Sequence, residues 1–378
     1  MKFIKHIALI LLVISLQGCN SIEKKIDKLP KKALPKVVSA SFPLQKKWQV
    51  KAGSGVGGSY AVLSPAINGN MVYFADHKGQ VFAYNEHGKK LWENKLSTKV
   101  SAAVTIANSG LLLIGENKAT LINTDDGSLV WESDLGSEVF ALPSASEAHA
   151  YVHLLDGYIV AVDLSTGNIA WRYSAQTPSI VMRKSSSAVI KSNKLYTGLA
   201  NGKVVALRLH DGSLYWEQEV GVPSGKRDIQ RMADVSATPI VDDNTIYAAA
   251  YKGNLSALDL VTGRVLWQSS ISTLNAGDIY KDALFFSDTK GHIKSYSKST
   301  GRVNWNSDTL EGRMLTGPVV YKKNIFIGDE EGNLHVFDFK GDYISRIKLA
   351  SAVTKAPVVQ NGELLILTSN GTLHIFSN

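Results

Sequence analysis

Ala257-Leu258-Asp259-Leu260-Val261-Thr262-Gly263-Arg264-Val265-Leu266-Trp267 decides the fold of this chain. Asn254-Leu255-Ser256-Ala257-Leu258-Asp259 alternates small or polar residues with apolar ones, the two-residue period of a strand. Thr262-Gly263 supplies turn chemistry, and Val265-Leu266-Trp267 begins a second strand, so the stretch reads as a hairpin. Working outward, Gly-x-x-x-Trp recurs at Gly88/Trp92, Gly127/Trp131, Gly167/Trp171, Gly212/Trp216, Gly263/Trp267 and Gly301/Trp305. Six of the seven tryptophans fall in this frame, with steps of 39, 40, 45, 51 and 38 residues. A period near 40 residues is the mark of a repeat architecture, to be recognised before any other reading.

A second turn lies upstream in most units, at Lys78-Gly79, Asp156-Gly157, Asn201-Gly202, Lys252-Gly253, Lys290-Gly291, Glu331-Gly332 and Asn370-Gly371. Alternating runs flank it, such as Tyr158 to Asp163 after it and Thr245-Ile246-Tyr247-Ala248 before it. A further strand opens each unit, as in Ser64-Pro65-Ala66-Ile67 and Thr238-Pro239-Ile240-Val241. Each unit thus predicts four strands, and no stretch carries a helical period. One unit cannot bury its own faces; units set radially bury each other's. Eight units fit, which predicts an all-β, eight-bladed propeller of four-stranded blades over residues 42–378. The second unit has Lys118 in place of its first glycine, and the seventh has Gly341 but Ser345 in place of tryptophan. The eighth reaches Asn378 without a Gly-x-x-x-Trp strand, while Trp48 precedes unit one without a unit of its own. The strand around Trp48 is therefore expected to close the ring by completing the last sheet.

Composition narrows the remaining classes. The chain has 378 residues, 44% of them hydrophobic and 20% charged, ordinary values for a globular protein. A mean hydropathy of -0.02 excludes a polytopic helical membrane protein. A single cysteine excludes internal disulfides and Cys-based zinc or iron–sulfur sites. That cysteine, Cys19, follows Lys2, Lys5 and an apolar run from Ile7 to Leu16, the layout of a secretory signal. Leu16-Gln17-Gly18-Cys19 resembles the lipobox of bacterial lipoproteins, which implies a signal over residues 1–18 and lipidation of Cys19. Asn20, not Asp, follows; in enterobacteria-like sorting this implies the outer membrane, on its periplasmic face. Residues 19–41 are then expected to be a flexible tether that packs on nothing. Six lysines against Glu23 and Asp27 give the tether +4, and two further lysines lie in the signal. Only +2 of the formal +8 is left for residues 42–378, so the basic balance predicts no nucleic-acid face. The tether lysines suit solvent or anionic head groups.

The Ala-x-Asp-x-x-Thr-Gly-x-x-x-Trp repeat resembles that of quinoprotein-dehydrogenase-type propellers. With the lipobox, the eight units and the length, the whole chain resembles the BamB family of outer-membrane assembly factors. That resemblance implies a non-catalytic scaffold aiding insertion of β-barrel proteins, with the periplasmic domains of a BamA-like insertase as partner and unfolded β-barrel clients as a further possibility. The rival readings are a quinone-dependent dehydrogenase and a generic periplasmic peptide-binding lipoprotein. Dehydrogenases of this fold use a calcium ion and often an adjacent Cys-Cys pair. No such pair exists here, Asp125-Asp126-Gly127 and Asp242-Asp243-Asn244 read as hairpin turns, and neither a cofactor nor a metal is expected.

Three other motifs invite chemistry. Gly53-Ser54-Gly55-Val56-Gly57-Gly58 satisfies G-x-G-x-x-G but is followed by a non-helical stretch, so it reads as a flexible lead into unit one. His149 and His153 share a strand face but lack a third ligand nearby. The two longest steps leave extra residues in 174–187 and 217–236. The first carries Ile180, Met182 and Arg183; the second carries Lys226-Arg227-Asp228-Ile229-Gln230-Arg231 and Asp234. Apolar residues mixed with arginine suit a protein interface. The two insertions would share one rim, with Ile180 and Met182 pointing the same way from a strand-like segment. The family resemblance implies that Ile180, Met182, Arg183 and Asp234 engage the partner, Asp234 by pairing with a basic group. Relatives can carry a second acid where this chain has Ser236.

Overall fold

The computed structural model describes residues 29–36, 44–58, 61–108, 110–178, 180–221 and 232–377. Among these there is no helix. The strands form eight sheets of four antiparallel strands, seven in sequence order and one that takes its outer strand from the N-terminal side of the chain. The first blade, for example, is built from Ala66–Asn68, Met71–Ala75, Gln80–Asn85 and Lys90–Lys95. First strands of neighbouring blades touch at most junctions, including that of blades eight and one. They therefore line the axis of a closed ring, the expected eight-bladed β-propeller. Blade two carries a fifth, short strand, Val62–Leu63, paired in parallel with Ala102 and Ala103.

The blades bury both faces of their middle strands. Ala150, Val152, Val160 and Val162 of blade three are all fully buried, in one cluster with Leu112 and Leu121 of blade two. Strands buried on two sides lose the polar–apolar alternation of a half-exposed sheet.

The ring closes as anticipated. Gln45–Lys51 pairs antiparallel with Thr372–Ser377 and forms the outer strand of blade eight. Both ends of the ring are thereby hydrogen-bonded into one sheet, so neither is left as a free edge.

The recurring Trp and Gly are two halves of one contact. Each tryptophan Nε1–H donates to a backbone carbonyl in the outer hairpin of the next blade: Trp48 to Glu86 at 2.8 Å, Trp92 to Thr124 at 2.9 Å, Trp131 to Leu164 at 2.8 Å, Trp171 to Leu209 at 2.9 Å, Trp216 to Leu260 at 3.2 Å, Trp267 to Lys298 at 3.1 Å and Trp305 to Phe339 at 2.9 Å. Each ring also lies on the glycine of that hairpin. At Gly212 a β-carbon would sit 2.4 Å from the Trp171 ring, and φ is 68°. Both facts demand glycine, one for space and one for the left-handed backbone. Across the strand pair five of the seven tryptophans face a small residue, as Trp267 faces Ala257, whereas Trp131 faces Leu121 and Trp48 faces Ile375. The Asp two positions later caps the turn: Asp259 Oδ1 accepts from the N–H of Val261 and Thr262.

One junction lacks the contact, and the reason is topological. The tryptophan of blade seven is replaced by Ser345, which is buried. Its neighbour, blade eight, has no outer hairpin, because its two outer strands are Gln45–Lys51 and Thr372–Ser377. There is no glycine turn for a tryptophan to cover. An apolar cluster including Phe326, Val336, Leu364 and Phe376 fills that junction instead.

Strand alternation sorts the connections into two faces. The outer hairpins with their glycines lie on one, here called the latch face. The blade-to-blade loops and the hairpins joining second to third strands lie on the other, the loop face.

The expectation of a tether that packs on nothing is corrected over residues 29–36, which dock on the loop face at blades six and seven. The Lys32 N–H donates to Glu311 O at 3.0 Å, and Arg313 donates to Lys32 O at 3.0 Å and to Glu331 at 3.0 Å. Lys31 pairs with Glu330 and Glu331 at 2.6 Å each. Leu34 packs against the cluster of Phe285, Ile325 and Phe337. At Gly312, with φ at 80°, a β-carbon would meet Pro30 O at 2.6 Å. Lysines placed to solvate a tether are thus partly used to hold it down. The signal at 1–18, Cys19 and residues 20–28 and 37–43 lie outside the described residues.

Candidate functional site

Both long insertions are blade-to-blade loops on the loop face, joining blade three to four and blade four to five. They do share one rim. The first runs from Ile169–Ser174 to Val189–Lys191 and the second from Leu214–Glu219 to Ile240–Asp242. The basic stretch from Lys226 to Arg231 lies outside the described residues.

The first loop has no strand at residues 180–183, contrary to the expected extended segment. It is irregular because its backbone is held by side chains and not by a neighbouring strand. Ile180 is 43% exposed, Met182 is half-buried and Arg183 is exposed. Arg183 leans toward the preceding blade-to-blade loop, with Nη2 3.4 Å from Glu138 Oε2 and its guanidinium 5.9 Å from the centre of the Phe140 ring. An exposed pair at that distance contributes little to stability, but it sets where the guanidinium points. Ile180, Arg183 and Glu138 thus present an apolar side chain beside charges of both signs.

Asp234 is where expectation and structure part. Its side chain is 1% exposed, and Oδ2 accepts the Met182 N–H at 3.0 Å. Oδ1 is buried with no hydrogen-bond partner among the described residues. Burial pushes this carboxyl above the usual range, against the opposing pull of the Met182 amide. Its backbone carbonyl accepts from the Tyr251 N–H of blade five at 2.9 Å. A buried, inward-facing carboxylate cannot meet a basic group on a partner in this conformation. The expected direct pairing is therefore corrected: Asp234 sits beneath the loop and positions Met182. Ser236, buried with its hydroxyl unpaired among the described residues, lies in the same inner layer.

The far end of the loop is pinned as well. Ser186 O accepts from His153 Nδ1 at 3.1 Å and from Thr197 Oγ1 at 3.3 Å, and Ser186 Oγ donates to Ala237 O at 3.3 Å. Burial drives His153 down to about 4 against the Ser186 bond, so the ring is neutral at pH 7. His153 is thus a loop anchor. His149, four residues earlier, instead lies beside Tyr151 with ring centres 6.2 Å apart. Among the described residues no three His, Cys, Asp or Glu side chains cluster as metal ligands do.

The other motifs are structural too. Around Gly53-Ser54-Gly55, the Ser54 N–H donates to Asp76 Oδ2 at 2.7 Å, the His77 N–H donates to Gly55 O, and the Val56 N–H donates to Ser369 O. The segment ties blade eight to blade one and opens no helix. Beneath the 175–186 loop a cavity of about 20 Å³ touches His153, Lys184, Asp234 and Ser236. That is room for one water-sized group and not for an organic cofactor.

Sequence reasoning missed Glu138 and Phe140, which orient Arg183, and it missed Lys184. Lys184 Nζ donates to Leu274 O and, at 3.2 Å, to Asn275 Oδ1, two blades away. The clue was present in Arg183-Lys184, two basic residues in one insertion, but nothing local indicates that they point to different places.

The comparisons agree with this architecture. A family model described as outer membrane protein assembly factor BamB matches residues 77–307 and 289–378. The protein of that name from Yersinia pestis is 32% identical over 96% of each chain. That of Escherichia coli K12 is 30% identical over 97% of this chain and 96% of its own. The crystal structure of BamB from Moraxella catarrhalis superposes with a TM-score of 0.83 at 24% identity, over 89% of this chain and all of that one. A quinohemoprotein alcohol dehydrogenase from Comamonas testosteroni superposes at 0.70 with 12% identity, over 88% of this chain and 76% of its own; that likeness is one of fold alone. On the near-full-length relatives and the family model together, the chain belongs to the BamB family of outer membrane protein assembly factors.

Proposed function

We propose that the chain is a non-catalytic scaffold lipoprotein of the machinery that inserts β-barrel proteins into the outer membrane. Its relatives are named as assembly factors and not as enzymes. Cys19 carries the lipid anchor and the propeller faces the periplasm. Two or more acyl chains suffice for a stable anchor, since each buried CH₂ contributes about 0.8 kcal/mol.

The partner is a BamA-like insertase, which docks through its periplasmic domains on the loop between blades three and four. The observation that carries this reading is Ile180, 43% exposed, beside the exposed Arg183 on a loop whose backbone is pinned from below. A loop held in advance loses little freedom on binding, so its contacts convert to affinity efficiently. Ile180 and Arg183 make the direct contacts. Met182 supports them from a half-buried position, and Asp234 acts through Met182. Arg183 is suited to be the anchor, because guanidinium both stacks and pairs bidentately with carboxylates.

Titration of the purified insertase domains against the propeller, beside melting curves, tests the patch. Unchanged affinity for Arg183→Glu and for the Ile180→Ala/Met182→Ala pair would refute it. Fractionation of Cys19→Ser tests the anchor, which fails if acylated protein still reaches the outer membrane.

A further inference from the structure

The docked segment 29–36 shortens the leash between Cys19 and the ring. From Cys19 to Gln45, where the closing strand begins, the chain could reach about 90 Å when fully extended. Docking on blades six and seven leaves only the steps from Cys19 to Leu29 free, a reach of about 35 Å. The hold is specific. The Lys32 N–H and carbonyl are both bonded, to Glu311 O and by Arg313, and Gly312 leaves room for the backbone of Leu29 and Pro30. One rim of the loop face, over blades five to seven, is thereby kept nearest to whatever holds Cys19.

Docking also changes the charge that this rim presents. Its exposed acids are matched by the segment itself: Lys31 pairs with Glu330 and Glu331 at 2.6 Å each, and Lys32 pairs with Asp308 at 2.8 Å. The buried acids are answered from within the ring, Asp288 by Lys294 at 3.2 Å and Asp329 by His335 at 3.0 Å. Glu311 lies against His292 at 3.3 Å. What is left over is basic. Lys252 and Lys290, on the turns joining second to third strands of blades five and six, are exposed and form no ion pair among the described residues. A rim whose carboxylates are neutralised and whose lysines are free is complementary to an anionic surface.

We propose that this rim, over blades five to seven, is the surface by which the ring lies against an anionic lipid bilayer. Lys252 and Lys290 face the head-group phosphates. Between their turns lies an open cavity of about 330 Å³, lined also by Lys294, Ser270, Ser272 and Thr289. Ammonium and hydroxyl groups are donors that phosphate oxygens accept. Met314, 60% exposed, and the exposed Leu29 add apolar contact on the same rim. A ring that rests on one rim is tilted, and the loop between blades three and four, three places round, stays clear of the lipid for the partner. The inference rests on the lipid anchor at Cys19.

The test is a lysine footprint, with a water-soluble acetylating ester and mass spectrometry. The chain from Cys19 onward keeps every described residue and has one thiol. That thiol is joined to a maleimide lipid in vesicles of equal parts phosphatidylcholine and phosphatidylglycerol. The reference is the same chain with Cys19 capped, in solution. Acetylation of Lys252 and Lys290 should slow by about fivefold on the vesicle, from the attraction of each lysine to the anionic surface. Lys340, exposed on the outer hairpin of blade seven and so on the latch face, should react as before. Arg313→Ala, which loosens the docked segment, should lose most of the protection. No slowing at Lys252 and Lys290, equal slowing at Lys340, or full protection in Arg313→Ala would overturn the inference. The chemical link supplies an anchor whether or not the cell acylates Cys19. A native protein without acyl chains would therefore sink the anchored reading of its function, and the footprint alone decides this one.

Discussion

The two faces of the ring are built by opposite rules. On the latch face one contact is repeated seven times, a tryptophan over the glycine of the next hairpin. On the loop face the hairpin turns still repeat, as where Asp76, Asp288 and Asp329 each cap one, but the blade-to-blade loops are each built differently. There Arg183 leans on Glu138, Asp234 holds Met182, Lys184 crosses the axis, and residues 29–36 dock over blades six and seven. Repetition secures the ring by many equivalent contacts, and freedom from repetition leaves the other face able to acquire a site. The exception proves instructive: Ser345 occupies the tryptophan position at the one junction whose neighbour lacks an outer hairpin. The tryptophan is retained where it has a glycine to cover.

The sharpest way to break this contrast is to remove a latch. Trp171 and Trp216 are each 9% exposed, so Trp171→Ala or Trp216→Ala should cost about 3–5 kcal/mol in chemical denaturation. Deleting residues 44–51 should be at least as damaging, because it removes Trp48 and the closing strand together. A loss below about 1 kcal/mol for Trp171→Ala would mean that the latches do not hold the blades.

Acid tests the loop face. His153 titrates near 4 when folded against about 6.5 when unfolded. A folded value below the unfolded one means the unfolded chain takes up the proton first. Stability from this group is therefore full above pH 6.5 and falls as pH drops toward 4, by up to about 3 kcal/mol. His153→Gln should flatten that part of the pH–stability curve. An unaltered curve would remove His153 as the anchor of Ser186.

Arg183→Glu separates the two faces most cleanly. Partner affinity should fall by more than about 2 kcal/mol if Arg183 is a hot spot, with stability moved by less than about 0.5 kcal/mol. Equal losses of both would make the residue structural.

Asp234 distinguishes a charge contact from a positioning one. Asp234→Asn keeps an acceptor for the Met182 N–H and should bind the partner nearly as well as the parent. Asp234→Ala strands that N–H, costing about 1–2 kcal/mol of stability, and should weaken binding as the loop loosens. Loss of binding by Asp234→Asn alone, with melting unchanged, would restore the direct ion pair.

The smallest effect concerns the docked segment. Arg313→Ala removes its bonds to Lys32 O and Glu331 and should cost about 1 kcal/mol, together with faster proteolysis within residues 29–36. The exposed Lys31 pairs should matter less, in keeping with their surface setting. Resistance to protease equal to the parent's would show that docking does not depend on Arg313.

Most of the fold was legible before any coordinates. Strand period, turn glycines and the 40-residue spacing specify the blades, and the orphan Trp48 with the incomplete eighth unit specifies closure. Even the replacement at Ser345 was visible, though its reason was not. The candidate site was only half legible. Ile180 and Arg183 do lie exposed on the loop face, yet the exposed residue and the buried one look alike as letters: nothing in Met232-Ala233-Asp234 says that the carboxylate turns inward.

What the sequence by itself determined are features set by neighbours along the chain: hairpins, alternation and the number of blades. Only the tertiary structure decided the burial of Asp234 beneath Met182, 52 residues away, the reach of Lys184 to Asn275, 91 residues away, and the docking of Lys32 on Arg313, 281 residues away. The physical reason is common to all three. Each depends on which loops the closed ring brings to the same place, and ring closure is a property of all eight blades at once.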